Sequence, residues 1–586
     1  MSVISDRCTT EPMSDASDSE LVSVGVLQLD GNECVGAEAF SAILADRVSP
    51  CTACYPDSSR LEATIARRSG VDPSRIVATA GADDAIDRIM GACLTPGSSV
   101  LLADPTFTMF QAFARNRKAE TRIVPWMKGP FPTSDFVDAS SGCSLMAVVS
   151  PNNPTGMSIP VESLMALRSA APDPMLLIDL AYVEFGCEAD GTTVDEVMES
   201  LRWMPKTVLV RTLSKAWGLA GLRVGWTEST RDFAERIRTA GGPFPIASSS
   251  IQTARAVLED ESSDRQVDDR VRRVTRNRRE TAVLLERFGC DVGESRANFL
   301  LVSDPRRSGR SEWLADGLSG LDVEVRRFQE PSLAERVRIT IPVGEVENRR
   351  LRRSLSTVLD PAAILFDLDG VLADVSESYR MAIIQTAAAF GVQVTNREID
   401  RIKAEGDAND DWRLTWRILG DAGVDITIEE VIDRFQRLYL GSETRAGLRE
   451  REVCFVDVDR LSEATRGRSV GVVTGRPGAE ARWFLERSGL DRVVGVLIAR
   501  EDAALKPEPD GLIKALDALD SNDAWFFGDT VDDITAARRV PAGRVLPIGM
   551  EVAPGSGVRT TLIQAGAARV LSTGPDMIEL LEGMLR

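Results

Sequence analysis

The sequence predicts an α/β protein of two successive units, each a parallel sheet covered by helices. Three observations point there. At 586 residues the chain exceeds what one hydrophobic core organises. Short β-rich apolar runs alternate with helical patterns, and this rhythm runs through twice. Between the two passes stands Leu359-Asp360-Pro361, where Pro361 cannot continue the charged helix read over Gly344–Leu359 without losing a hydrogen bond.

In chain order, residues 1–20 are rich in Ser, Asp, Thr and Glu and read as a disordered acidic tail. They have no basic start and no apolar stretch, so they do not make a secretory signal, and the cytoplasm is the expected location. The first unit, 21–358, carries strand signals at Arg75–Thr79, Val100–Ala103, Leu145–Ser150, Met175–Asp179 and Thr207–Arg211. After a linker at 359–361 the second unit, 362–586, carries them at Ala362–Phe366, Val470–Thr474 and Ala524–Gly528. Between about 375 and 466 the strand signals give way to helical patterns, as in a helical insertion into an α/β core.

The residue types narrow the chemistry. A formal charge of −20 repels phosphate backbones and anionic lipid, and no basic patch offsets it, so neither nucleic acid nor membrane is an expected partner. No apolar run approaches the roughly 18–20 residues needed to cross a bilayer. Histidine is absent, which leaves carboxylates, Lys, Tyr, hydroxyls, a metal or an organic cofactor to do the chemistry. Lys occurs only at 118, 128, 206, 215, 403, 506 and 514, so each Lys in a suggestive setting stands out. The nine Cys suit reduced thiols; Cys51 and Cys54 form one C-x-x-C, but zinc would need two further thiolates.

The strand Met175–Asp179 ends in a carboxylate, with Tyr182 three residues on. Thr207–Arg211 runs into Thr212-Leu-Ser-Lys215, followed by Gly218, Gly221 and Arg223. Residues at the carboxyl ends of parallel strands line the ligand crevice of an open sheet. Singly, they read as a strand-end cap, a loop cation and a surface ion-pair partner. Together with Ser150-Pro-Asn-Asn-Pro-Thr-Gly156 they resemble the fold-type I aminotransferases that use pyridoxal 5'-phosphate, specifically the histidinol-phosphate aminotransferase family, over about residues 25–358.

The resemblance implies a role for each matching residue. Lys215 would form the imine with the cofactor and shuttle the proton, and Asp179 would pair with the pyridine nitrogen. Asn153 and Tyr182 would bond the ring hydroxyl, and Phe107 would stack on the ring. Gly81, Ala82 and Asp83 at a helix start, with Ser214 and Arg223, would hold the phosphate. Tyr55 would reach the phosphate in a neighbouring subunit, implying a homodimer. Arg338 would clamp the amino-acid carboxylate, glutamate being the expected donor, Arg326 would meet a substrate phosphate, and Asn32 would lie beside the substrate. Cys34, Val35, Cys54 and Pro342 depart from the family pattern near the substrate.

In the second unit, Ile364-Leu-Phe-Asp367-Leu-Asp369-Gly370 sets two carboxylates just after a buried strand, a costly arrangement that Mg²⁺ relieves. With Val473-Thr474-Gly475, Lys506-Pro507 and Gly528-Asp529-Thr-Val-Asp532-Asp533 in that order, it resembles the haloacid dehalogenase superfamily of phosphohydrolases over about 362–586. The resemblance makes Asp367 the nucleophile and Asp369 the general acid and base. Thr474 and Lys506 would steady the phosphoryl oxygens. Asp367, Asp529 and Asp533 would hold Mg²⁺ together with Asp369, through its main-chain carbonyl. The insertion resembles the superfamily's helical cap, and Trp412, Arg413, Trp416 and Arg417 fall at helical spacing within it.

The reading that joins the halves is a bifunctional enzyme. A phosphorylated ketone, imidazole-acetol phosphate as the best match, is aminated to histidinol phosphate, and a phosphate monoester, again histidinol phosphate, is hydrolysed to histidinol. The alternatives are a PLP-dependent decarboxylase, or an aminotransferase of another substrate, joined to an unrelated phosphatase, or one domain serving as a non-catalytic module.

Overall fold

The computed structural model describes residues 25–36, 54–306, 309–404, 410–551, 557–572 and 574–585. The tail expected over 1–20, and Cys51 of the C-x-x-C, lie outside the described residues. The chain divides into two compact units, one made of Gln28–Ala315 with Glu324–Asn348, the other of Arg349–Arg586 with Asp316–Val323 and the residues up to Leu27.

The first unit begins with a short strand, β1 (Leu27–Leu29). Then β2 (Ile76–Thr79), β3 (Ser99–Asp104), β4 (Glu120–Pro125), β5 (Leu145–Val149), β6 (Met175–Asp179), β7 (Thr207–Thr212) and β8 (Gly225–Glu228) form a seven-stranded sheet in the order β2-β8-β7-β6-β5-β3-β4. Its strands are apolar on both faces because helices cover both. Leu176 and Ile178 of β6 enter one core cluster with Leu101 and Val148, while Leu177 enters the other with Val100, Leu102 and Val210. This is the period-two division of a sheet buried on both sides.

The sheet is not wholly parallel, as the strand rhythm had implied. β8 runs antiparallel to both β2 and β7. Its four residues, Gly-Trp-Thr-Glu, are too few and too polar to register as a run. A helix from Gly81 to Cys93, α1, follows β2 and turns Ala85, Ile86, Ile89 and Met90 into the core, leaving Asp83 and Asp84 in its first turn, where the helix dipole favours them.

A second, antiparallel sheet went unread in the sequence as a sheet. It adds β9 (Asp291–Val292), β10 (Phe299–Ser303), β11 (Val323–Arg327) and β12 (Val337–Thr340) in the order β1-β11-β12-β10-β9. Its register sets Arg326 directly across from Arg338.

A helix over Glu345–Leu359, α2, ends ahead of Pro361. The second unit's sheet is parallel throughout, built from β13 (Ala363–Phe366), β14 (Ser469–Val473), β15 (Val496–Ile498), β16 (Ala524–Gly528), β17 (Val545–Met550) and β18 (Arg569–Leu571) in the order β15-β14-β13-β16-β17-β18. Among the described residues the insertion after β13 holds α3 (Tyr379–Ala389), α4 (Asn396–Ala404), α5 (Asp411–Asp421) and α6 (Ile428–Leu440), with only two-residue strands beside them. The core helices α7 (Gly478–Ser488) and α8 (Val531–Arg539) follow β14 and β16. Among the described residues no helix is long and apolar enough to cross a membrane.

Candidate active sites

In the first unit a cleft of about 450 Å³ opens at the carboxyl ends of β6 and β7. Asp179 closes β6 and is 4% exposed, its Oδ1 accepting the Ala181 N–H at 3.0 Å. Burial pushes its carboxyl from 3.8 up to about 7; Asp83 adds to the rise, while the Ala181 bond and Lys215 oppose it. Lys215, just past β7, extends its ammonium to the Asn32 carbonyl at 3.2 Å and lies 5.6 Å from the centre of the Tyr182 ring.

Asn32 is the hub on the facing side. Its amide donates to the Tyr182 hydroxyl at 3.0 Å, its Oδ1 accepts from the Thr340 hydroxyl at 3.0 Å, and its carbonyl also accepts from the Asn298 amide at 3.2 Å. The departures from the family pattern have places here. Cys34 donates its thiol to the Lys215 carbonyl, with burial pushing that thiol up to about 11. The carbonyls of Val35 and Pro342 accept from Val343 and Asn277 at 2.8 and 2.9 Å.

One end of the cleft has the makings of a phosphate cradle. α1 begins at Gly81, whose φ of +80° suits glycine, and a Cβ there would stand 2.8 Å from the Arg223 guanidinium. A Cβ on Gly225 would stand 2.6 Å from the Gly81 carbonyl carbon, so this backbone is packed too closely for side chains. Arg223 reaches Asp83 at 3.1 Å with both half-exposed, and Ser214 accepts from the Thr212 hydroxyl at 2.9 Å. Ala82 and Phe107 line the same cleft.

The other end is cationic. Arg338 is 7% exposed and gives one Nη to Asn153 Oδ1 and the other to the Asp30 carbonyl, both at 2.6 Å, while its Nε has no partner. Burial, with Arg326 opposite adding to it, brings its guanidinium down to about 10. Tyr55 is not among the residues lining this cleft: it is 82% exposed and stacks on Phe244 with ring centres 4.7 Å apart.

In the second unit a narrow cleft of about 50 Å³ lies at the carboxyl ends of β13 and β16. Carboxylate oxygens of Asp367, Asp529 and Asp533 lie within 4.8 Å of one another, a set suited to a hard divalent cation. Lys506 donates to Asp367 at 2.7 Å and is ion-paired with Asp533. Burial works against its charge, but those two carboxylates outweigh it and hold the ammonium above its usual range. Burial likewise raises the Asp367 carboxyl, with Asp533 and Asp369 adding to it against the pull of Lys506. Asp533 also caps α8 by accepting from the Thr530 N–H at 2.9 Å.

Asp369 behaves differently. Its carboxylate is not one of the three that converge, and it is gripped by Nε of Arg476. Thr474 accepts the Arg476 N–H at 3.2 Å through its hydroxyl. In the insertion, Asp411 at the start of α5 lines the cleft, whereas Arg413 points to Asp410 at 3.6 Å and is 73% exposed. Trp412 lies under Arg500, and Trp416 donates to the Ile426 carbonyl at 2.9 Å. The sequence reading missed Arg380, Asp411 and Arg476. Only Arg476 had a local signal, its position two residues after Thr474.

Comparison with known proteins agrees with this geometry. A family profile described as aminotransferase class I and II matches residues 30–355, and one described as haloacid dehalogenase-like hydrolase matches residues 361–540. Histidinol-phosphate aminotransferase 2 of Caulobacter vibrioides is 31% identical over 271 residues, covering 45% of this chain and 69% of that one. An imidazoleglycerol-phosphate dehydratase of Phytophthora nicotianae is 40% identical over 236 residues, 38% of this chain, and the chain spans about half that relative's length, 52%. Among solved structures, the histidinol-phosphate aminotransferase of Sinorhizobium meliloti in complex with pyridoxal-5'-phosphate has a TM-score of 0.51 at 22% identity, over 60% of this chain and 98% of that one. That likeness speaks for the fold.

Proposed function

Because the chain belongs to the class I and II aminotransferases and continues into a haloacid dehalogenase-like hydrolase domain, we propose that it aminates a phosphorylated ketone at its first site and hydrolyses a phosphate monoester at its second. The observation that carries the first half is the pair Arg326 and Arg338, held opposite one another across β11 and β12 in a cleft that also holds Lys215 and Asp179. Two guanidiniums this close repel, and a substrate bearing two anionic groups relieves them. An amino acid with a second carboxylate, such as glutamate, and a phosphorylated acceptor both answer that description. The named relatives favour imidazole-acetol phosphate as acceptor and histidinol phosphate as the ester.

The first cleft fits pyridoxal phosphate. The glycine-walled start of α1 with Ser214 and Arg223 would take its phosphate, Asp179 its ring nitrogen, and Asn153 and Tyr182 its ring hydroxyl. When bound, the group supplies an electron sink for charge developing on the substrate carbon. Arg338 then orients the donor carboxylate through its fork. Lys215, just past β7, would take the proton from the substrate carbon on its Nζ and hand it on to the cofactor. Buried Asp179 would keep a ring nitrogen protonated there. The exposed Tyr55, which is not among the residues lining its own cleft, supports a homodimer in which it serves a partner's phosphate.

The second cleft fits Mg²⁺. Asp367, Asp529 and Asp533 would hold it, with the Asp369 carbonyl, and it would offset charge on the phosphoryl oxygens. Asp367 attacks phosphorus as the bond to the leaving alcohol breaks, and Asp369 gives that oxygen its proton. Water then attacks the aspartyl phosphate and returns a proton to Asp369, releasing phosphate and restoring Asp367. Lys506 holds the nucleophile in place throughout. No disulfide joins the described cysteines, which suits a reducing compartment such as the cytoplasm.

The test is a screen of both half-reactions on the full chain. With glutamate, Mg²⁺ and imidazole-acetol phosphate, histidinol and inorganic phosphate should both appear. Preference of both sites for another phosphorylated skeleton overturns the substrate assignment and leaves the reaction types standing. Absence of either reaction with every ester and ketone offered overturns the reaction types.

A further inference from the structure

Arg476 is 1% exposed, and its guanidinium is held on several sides. Nε binds Asp369; Nη1 donates to Glu452 Oε2 at 2.9 Å and to the Tyr439 hydroxyl at 3.2 Å. Its plane lies 4.7 Å from the Tyr379 ring and 5.6 Å from that of Phe484, while Nη2 has no partner. Glu452, itself 6% exposed, accepts from Ser378 at 2.7 Å and from Tyr439 at 3.1 Å. Tyr379 donates to Glu480 of α7, which also accepts from Gln436 of α6 at 2.8 Å. Every partner beyond Asp369 therefore lies on the insertion helices α3 and α6, beside them, or on the core helix α7.

Such an arrangement is expensive to bury unless its geometry matters, since a hydrophobic cluster of the same volume would fold as well or better. We propose that Arg476 is a positioning residue for Asp369, a strut through which the place of the helical insertion sets where the carboxyl of Asp369 points. In the state seen here the carboxyl is held by the strut. Movement of α3 and α6 over a substrate shifts Glu452, Tyr379 and Tyr439, Arg476 moves with them, and Asp369 turns to the leaving oxygen. Proton donation is thereby tied to closure over the ester. The inference rests on the phosphatase reading above.

The readout is the leaving group. An alkoxide needs the proton of Asp369, whereas p-nitrophenolate departs without it. In the full chain, Arg476→Met keeps the stem and removes the donors. Its kcat/KM on the best alkyl ester, which reports the steps up to departure of the alcohol, should fall by about 100-fold, the low end of what general acid catalysis contributes. Its kcat/KM on p-nitrophenyl phosphate should stay within about threefold, which also shows that the domain is folded, while kcat on either ester also carries the later attack of water, in which Asp369 serves as base. Glu452→Gln, which keeps size and weakens the next link, should give the same split at smaller amplitude; it carries the test if Arg476→Met does not fold. Equal losses on both esters, or no loss on the alkyl ester, overturn the inference. Wild-type protein inactive on both esters overturns instead the phosphatase reading beneath it.

Discussion

Replacing Asp179 by Asn should stabilise the cofactor-free protein at high pH while crippling the enzyme. The carboxyl is buried and raised from 3.8 to about 7, chiefly by burial. A carboxyl raised in the folded state favours folding while it is protonated, and that advantage is lost as pH climbs from the unfolded value through the folded one. Over about three pKa units the loss is about 4 kcal/mol at pH 8, but only about 1.5 kcal/mol at pH 5. Asn does not ionise, but its NH₂ replaces an acceptor and costs about 1–2 kcal/mol if unmet. Cofactor-free Asp179→Asn should therefore match wild type near pH 5 and exceed it by roughly 2–3 kcal/mol at pH 8. Urea unfolding of the stripped full-length proteins across this range measures the difference. With cofactor bound the order should reverse, and transamination should drop roughly 10–150-fold, the equivalent of a lost charged hydrogen bond of about 1.5–3 kcal/mol. A stability difference that does not change between pH 5 and pH 8 refutes the reasoning.

Lys215→Ala should keep the fold, by circular dichroism, and lose both the visible absorbance of a covalently held cofactor and all amino transfer; residual transamination would reassign the site. Asp367→Asn keeps size but not the nucleophile, so ester hydrolysis should collapse with amino transfer intact, and chelation of divalent cations should do the same; parallel loss of both activities would point to one composite site. Arg338→Lys retains charge without the fork and should raise KM for glutamate by roughly 10–100-fold, in line with a charged bidentate contact. An unchanged KM would place the carboxylate elsewhere.

What was legible in the sequence was local. Asp179, Lys215, Asp367 and Asp529 each sit at a strand's end or within a few residues of it, and strand ends are where an open sheet gathers its ligands. β8 was invisible because four residues containing Gly, Thr and Glu carry no periodic signal. Arg476 was passed over because its partners Asp369, Tyr379, Tyr439 and Glu452 lie far along the chain and are unrelated by spacing. The hub at Asn32 was half seen. Its position was read, but Thr340 and Asn298, which hold it, lie on or beside strands of a sheet that no pattern announced.

That hub also constrains how the protein is made. Asn32 and Thr340 are 308 residues apart in the chain and touch in the finished cleft. At about 5–20 residues per second, the ribosome needs roughly 15–60 s to deliver the second after the first. Through that interval the strands carrying Asp179 and Lys215 have been synthesised, yet the floor beneath the lysine has nothing to fasten it. A nascent chain stalled before β12 therefore holds Asp179 and Lys215 without Arg338 and without the enclosure. Residues 349–586, the bulk of the second unit, emerge only after the last segment of the first, Glu324–Asn348, has been made.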